Sequence, residues 1–287
     1  KRFCVIPGGP GTGKTAMIAK ILSLLMGQAA PNRLKIFLAA PTGKAAARLG
    51  ASLRATKETL DCPADIRSAV PTEAQTLHRL LKPIPGGSEF YYHSKNPLPA
   101  DVVVVDEASM VDLALMAKLI RSLSTGTRLI LLGDKDQLAS VEAGAVLGDI
   151  CAGAGSLRFS PEMIRSLEAV GADRLSGCIG NGQGVGVVQD CIVPLSKSYR
   201  FASGSRIDAL RLAVNAGRAG DVHSLLDDAG DATVNWQSVD SAPSLFKRLP
   251  ERLSRGYGSS PAGNDPARAL ESLDRERLLC VVREGPW

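Results

Sequence analysis

Residues 8–15 read GGPGTGKT. They satisfy the spacing G-x-x-x-x-G-K-[ST] and stand between an apolar run at 2–6 and a helical pattern at 16–26. The chemistry explains the spacing. Glycines at 8, 11 and 13 permit the torsions that turn successive backbone N–H groups inward. Those groups, with the start of the following helix, form an anion site. Gly8, Gly9, Pro10, Gly11, Thr12 and Gly13 are therefore the expected cradle for the phosphates of a nucleotide, ATP. Lys14 is expected to reach the β- and γ-phosphates, and the Thr15 hydroxyl to ligate Mg²⁺. The plain alternative is a structural glycine turn with an incidental lysine, and the flanking strand and helix argue against it.

Working outward, apolar runs recur at 35–40, 102–106 and 128–133, each followed by a turn and a stretch rich in Ala, Leu, Lys and Arg. Continuous apolar strands separated by helical segments predict an α/β fold: a parallel sheet with helices on both faces. Ligands of such sheets bind beyond the carboxyl ends of the strands. The strand at 102–106 ends in the carboxylates Asp106 and Glu107. Asp106, at the strand tip, is placed to hold the metal, and Glu107 to polarise an attacking water. This pair tilts the reading towards hydrolysis, whereas a DE pair standing alone reads equally well as a solvated strand end. The strand at 128–133 runs into GDKDQL (133–138). Gln137 is placed to bond a γ-phosphate and lose that bond on hydrolysis, with Asp134 orienting it or the water.

Composition bounds the rest. A chain of 287 residues has room for about two domains of roughly 150 residues. Its longest apolar stretch, at 16–26, is broken by Lys20 and too short to span a bilayer. The N-terminus has no signal-peptide pattern, so a soluble, cytoplasmic protein without membrane contact is expected. The six cysteines include no CxxC pair, which favours free thiols over zinc. A net charge of +5 is compatible with a polyanionic partner without demonstrating one. Residues 206–216 have helical spacing, 278–283 read as a strand, 257–266 as a linker, and 177–186 as an aperiodic glycine-rich loop.

The order of motifs is more specific than any one of them. GGPGTGKT is followed by APTGKAAARL (40–49), TLHRLL (76–81), VVVVDEASMVD (102–112), LLGDKDQLASVEAG (131–144) and SYRF (198–201). This series resembles that of superfamily 1 DNA helicases of the RecD type, the alpha subunits of exodeoxyribonuclease V (RecBCD) complexes in DNA recombination and repair. RLLCVVREGPW (277–287) extends the resemblance. It implies a RecA-like P-loop motor domain over 1–150 and a connecting region over 151–195. Part of a second RecA-like motor domain would occupy 196–287, in a piece of a longer protein. It implies the same nucleotide roles for Lys14, Thr15, Asp106, Glu107 and Gln137, and adds Arg200, which would reach the γ-phosphate from the second motor domain with a planar, always-charged fork. It also implies single-stranded DNA contacts at Thr42, Gly43 and Lys44 of PTGKAA and at Thr76 and His78 of TLHRLL, although a histidine at a helix start is as readily structural.

The activity so implied is ATP hydrolysis driving movement along single-stranded DNA, 5′ to 3′, beside RecB- and RecC-like partner subunits. Two other classes stay open: a nucleotide-gated DNA-binding module with little turnover, and a P-loop ATPase unrelated to nucleic acid. Single-stranded DNA would stimulate hydrolysis in the first class, bind without stimulation in the second, and do neither in the third. Because the family's last motifs would follow Trp287, weak Mg·ATP binding and little turnover are expected of these 287 residues alone.

Overall fold

The computed structural model describes residues 2–29, 34–137, 146–152, 159–171, 188–202, 204–227 and 233–238, with a few single positions beyond. The glycine-rich stretch at 177–186, the linker at 257–266 and, apart from Leu279, the strand expected at 278–283 lie outside the described residues.

Five strands, β1 (Phe3–Pro7), β2 (Ile36–Ala40), β3 (Ala74–Thr76), β4 (Val102–Val105) and β5 (Arg128–Gly133), form one sheet in the order β1-β5-β4-β2-β3. All pairs are parallel. Four of these strands fall where the apolar runs predicted them. The fifth, β3, is three residues of mixed character (AQT), too short and polar to stand out, and exists by pairing with β2.

Side chains alternate across a strand, and here both faces are apolar. Val103, Val105, Leu129 and Leu131 point into a core with α4 (Leu77–Leu81), α5 (Leu113–Ser122) and Leu147 of α6 (Val146–Ala152). Val102, Val104, Ile130 and Leu132 point into a second core with α1 (Lys14–Ala29) and α2 (Gly43–Glu58). The four valines of β4 are consequently all buried, as expected of a strand covered on both sides. Each fully buried Leu or Ile, such as Leu22 of α1 or Leu53 of α2, contributes roughly 1.5–3 kcal/mol. A short helix, α3 (Ala64–Ala69), links α2 to β3.

The free edge of β1 is covered by a distant part of the chain. Val193 N–H donates to the Val5 carbonyl at 2.9 Å and Leu195 N–H to the Pro7 carbonyl at 2.8 Å, running parallel to β1. Ile192 joins the first core. The first compact unit accordingly spans Lys1–Asp208 and takes in α7 (Pro161–Glu168) and the SYRF segment. The second unit spans Ala209–Trp287 and includes α9 (Ala219–Asp227), whose first-turn Asp221 forms an exposed ion pair with Arg218 just before the helix; α8 (Arg206–Asn215) crosses the boundary. Among the described residues no helix is long and apolar enough to cross a membrane.

Candidate nucleotide site

The glycine loop leaves the carboxyl end of β1 and is tied to the end of β5, where Gly8 N–H donates to the Gly133 carbonyl at 2.9 Å. It closes on the first residue of α1, which is Lys14. Gly11 and Gly13 both adopt left-handed torsions, with φ of 75° and 81°, at which a Cβ is strained. The Lys14 ammonium folds over the loop and donates to the carbonyls of Gly8 (2.6 Å) and Gly9 (3.1 Å). Thr12 Oγ1 donates to the same Gly9 carbonyl at 2.9 Å. An ammonium has three donors on a flexible stem, so Lys14 can exchange these carbonyls for phosphate oxygens without moving the backbone.

Asp106 follows β4, its N–H held by the Ala39 carbonyl at 2.9 Å. Burial pushes the Asp106 carboxyl above its ordinary value, while the N–H of Glu107 and the Lys14 and Arg48 cations pull it back. Glu107 is raised too, by burial first and the neighbouring Asp106 charge second, against Lys14 and Arg48. Its backbone is left-handed, at φ 53°, a conformation that costs an L-residue about 1–2 kcal/mol. The 3₁₀ turn Ala108–Met110 holds it there through a Met110 N–H bond to the Glu107 carbonyl at 3.0 Å.

Because β5 lies between β1 and β4, its loop sits between the cradle and the carboxylates. Asp134 is buried at the end of β5. Its carboxylate accepts from Asp136 N–H (3.1 Å) and its carbonyl from Gln137 N–H (3.3 Å). These bonds form the turn that presents the exposed Gln137 side chain.

Arg200 reaches the site from within the same compact unit. Tyr199 N–H donates to the Gly11 carbonyl at 2.8 Å, and Ser198 Oγ to the Pro10 carbonyl at 3.3 Å. A Cβ on Gly11 would lie 2.3 Å from the Arg200 Cβ. Gly11→Ala should therefore push the SYRF segment off the loop as well as strain φ. The expected result is a lower melting temperature together with weaker nucleotide binding; unchanged values for both would show that this contact is dispensable.

One cleft of about 590 Å³ is lined by Lys14, Thr15, Asp106, Glu107, Gln137 and Arg200. Residues expected to cooperate, but separated by up to 186 positions, thus meet in one place. The cleft also exposes two residues that the sequence reading missed. Tyr199 is 72% exposed, with Lys197 Nζ 5.0 Å from its ring centroid, and offers a flat face on which a base can stack. Arg48, from α2, faces the carboxylates. The only advance signals were an aromatic beside Arg200 and an arginine one turn beyond Lys44.

The donor set fits Mg²⁺ carried in with phosphates. Thr15 and Asp106 are hard oxygen donors in one cleft, and among the described residues no group of three or more His, Cys, Asp or Glu could hold an ion by itself. Mg²⁺ typically takes one or two protein oxygens and completes its shell with water and phosphate.

The residues suggested for DNA contact form a separate cluster, beyond the ends of β2 and β3 and on the other side of β4 from the cradle. Thr42 caps α2 by accepting from Ala45 N–H at 3.2 Å, and Thr76 caps α4 by accepting from Arg79 N–H at 3.2 Å. The β2–β3 register pairs Ala40 with Thr76, which places the two helix starts side by side. Gly43 and Lys44 are exposed in the first turn of α2. His78 is exposed, its ring centroid 5.8 Å from that of Phe90.

A family model described as an AAA domain matches residues 1–143. The RecBCD enzyme subunit RecD of Mycolicibacterium smegmatis is 40% identical over 287 residues, covering 98% of this chain and 45% of that protein. The RecD subunit of Haemophilus influenzae is 42% identical over 267 residues, 88% of this chain and 40% of that protein. The chain belongs to the RecD family. It spans a little under half the length of the RecD subunits it matches. An ATP-dependent RecD2 DNA helicase of Deinococcus radiodurans is 37% identical over 159 residues, 55% of this chain and 19% of that protein.

Proposed function

We propose that this chain is the ATP-binding motor portion of a DNA helicase that hydrolyses ATP to move 5′ to 3′ along single-stranded DNA. It would act in the cytoplasm as the alpha subunit of an exodeoxyribonuclease V complex with RecB- and RecC-like partners. The observation that carries the reading is the single cleft in which Lys14, Thr15, Asp106, Glu107, Gln137 and Arg200 converge. Membership of the RecD family supports the choice of DNA and of partners.

Each residue then has a task. Lys14 exchanges the Gly8 and Gly9 carbonyls for β- and γ-phosphate oxygens. Thr15 and Asp106 would hold Mg²⁺, which when bound neutralises charge on the β- and γ-oxygens. Glu107 takes a proton from the water whose oxygen attacks the γ-phosphorus as the bond to the β–γ bridging oxygen breaks, yielding ADP and phosphate. Gln137 and Arg200 bond the γ-phosphate and lose it on release. Tyr199 stacks on the base. The paired starts of α2 and α4 present backbone N–H groups, and Lys44 a cation, to successive DNA phosphates. A second motor domain, beginning near 196 and continuing through 287, would complete the motor.

The test, on a protein of the full RecD length, is ATPase rate with and without single-stranded DNA, and strand displacement from duplexes with 5′ or 3′ tails. Stimulation and a requirement for the 5′ tail are expected; hydrolysis indifferent to DNA would overturn the reading. Lys44→Ala should lower the slope of log affinity for DNA against log salt by about 0.7, one single-strand phosphate contact. An unchanged slope and affinity would remove Lys44 from the DNA path.

A further inference from the structure

Among the described residues two arginines line the cleft, from different elements. Arg200 is anchored to the cradle through Tyr199 and Gly11. Arg48 belongs to α2, whose first turn carries Lys44 and whose cap is Thr42. Lys44 and Arg48 are four residues apart, and such residues share a helix face. One end of that face lies beyond the tip of β2, and one turn further in it lines the cleft with Asp106 and Glu107. The helix is a stiff link. Ala46, Leu49 and Leu53 are buried. Gly50 lets α2 press on the backbone before β3, where an added Cβ would lie 2.7 Å from the Thr72 carbonyl oxygen.

We propose that Arg48 is a positioning residue that couples occupancy of the α2 N-terminus by a DNA phosphate to the Asp106 and Glu107 carboxylates in the nucleotide cleft. The proposal rests on the single-stranded DNA and ATP reading given above. A phosphate engaging Lys44 and the first N–H groups of α2 draws on the helix, and Arg48 moves with it against the carboxylates that hold the metal and the water. It lines the same cleft as both of them. Conversely, a bound γ-phosphate alters the charge that Arg48 faces and so favours one setting of α2. Coupling of this kind is reciprocal: nucleotide tightens DNA by the factor by which DNA tightens nucleotide. Of the two cleft arginines, Arg48 alone shares an element with the DNA contacts.

The experiment measures affinity for a fluorescein-labelled oligothymidylate by anisotropy, with and without Mg²⁺ and a non-hydrolysable ATP analogue. The ratio of the two dissociation constants is the coupling factor. In the parent chain it should be roughly tenfold, within the usual range for such coupling. Arg48→Ala should bring it to within about twofold of unity, and Arg48→Lys, which keeps a cation at that position, should retain most of it. Arg54→Ala, an exposed arginine further along α2, should match the parent. The proposal is overturned if Arg48→Ala couples as the parent does, if Arg48→Lys does no better than alanine, or if Arg54→Ala loses as much. A parent that binds both ligands without coupling also overturns it. A parent that binds no oligothymidylate overturns the DNA reading itself, a distinguishable failure that takes the proposal with it.

Discussion

In a protein of the full RecD length, replacing Glu107 with glutamine should cut DNA-stimulated ATP turnover roughly 100-fold or more, the usual scale for a lost general base, while nucleotide still binds. The amide keeps the size and much of the hydrogen bonding of the carboxylate but cannot take a proton from water. The same change should raise the melting temperature near neutral pH. Burial and the Asp106 charge raise the Glu107 pKa in the folded protein, so folding favours the protonated form and the charged form costs stability. That cost is present above the raised pKa and fades as pH falls through it. The thermal gain from Glu107→Gln should therefore shrink towards acid pH, where the parent's Glu107 is itself neutral. Steady-state turnover and melts at neutral and acidic pH check both parts. Unchanged turnover would mean that another group activates the water. A gain in stability that does not diminish with acid would mean that the buried charge is not its source.

Lys14→Ala should weaken binding of a nucleoside triphosphate by about 30- to 1000-fold, the equivalent of about 2–4 kcal/mol for removing one partner of a charged, hydrogen-bonded contact. Among the described residues the ammonium is the one side-chain cation recorded as bridging the loop, through Gly8 and Gly9. Its loss withdraws donors from a part-buried site and deletes no core packing, so the melting temperature should change little. Adenosine, which lacks phosphates, should bind parent and variant alike. Calorimetric titration of both ligands separates the outcomes: equal triphosphate affinity would sink the cradle assignment, and equal loss for adenosine would point to a collapsed loop.

Much of this protein could be read locally. GGPGTGKT points to a phosphate cradle because strand, glycine turn, lysine and helix are consecutive in the chain. The valines of β4 announce a strand covered on both faces, and the acids that follow them are carried to its tip by the same covalent run. The parallel α/β class, four of five strands, and the candidate roles of Lys14, Thr15, Asp106, Glu107 and Gln137 all follow from such neighbouring residues.

What sequence by itself determined was therefore four of the five strand ends and the residues carried at them. What only the tertiary structure decided was which ends lie together. The insertion of β5 between β1 and β4 puts Gln137 between the cradle and the carboxylates. Pairing of 192–195 along β1 brings Tyr199 and Arg200 onto the glycine loop from nearly 190 residues away. Packing of α2 beside α1 turns Arg48 into the cleft. The three-residue β3 exists because β2 offers it hydrogen bonds, and its pairing sets Thr76 beside the start of α2. Helix and strand preferences act over a few residues, whereas strand order and edge pairing are selected by burial and hydrogen bonding summed over the whole sheet. No short window of sequence contains that sum.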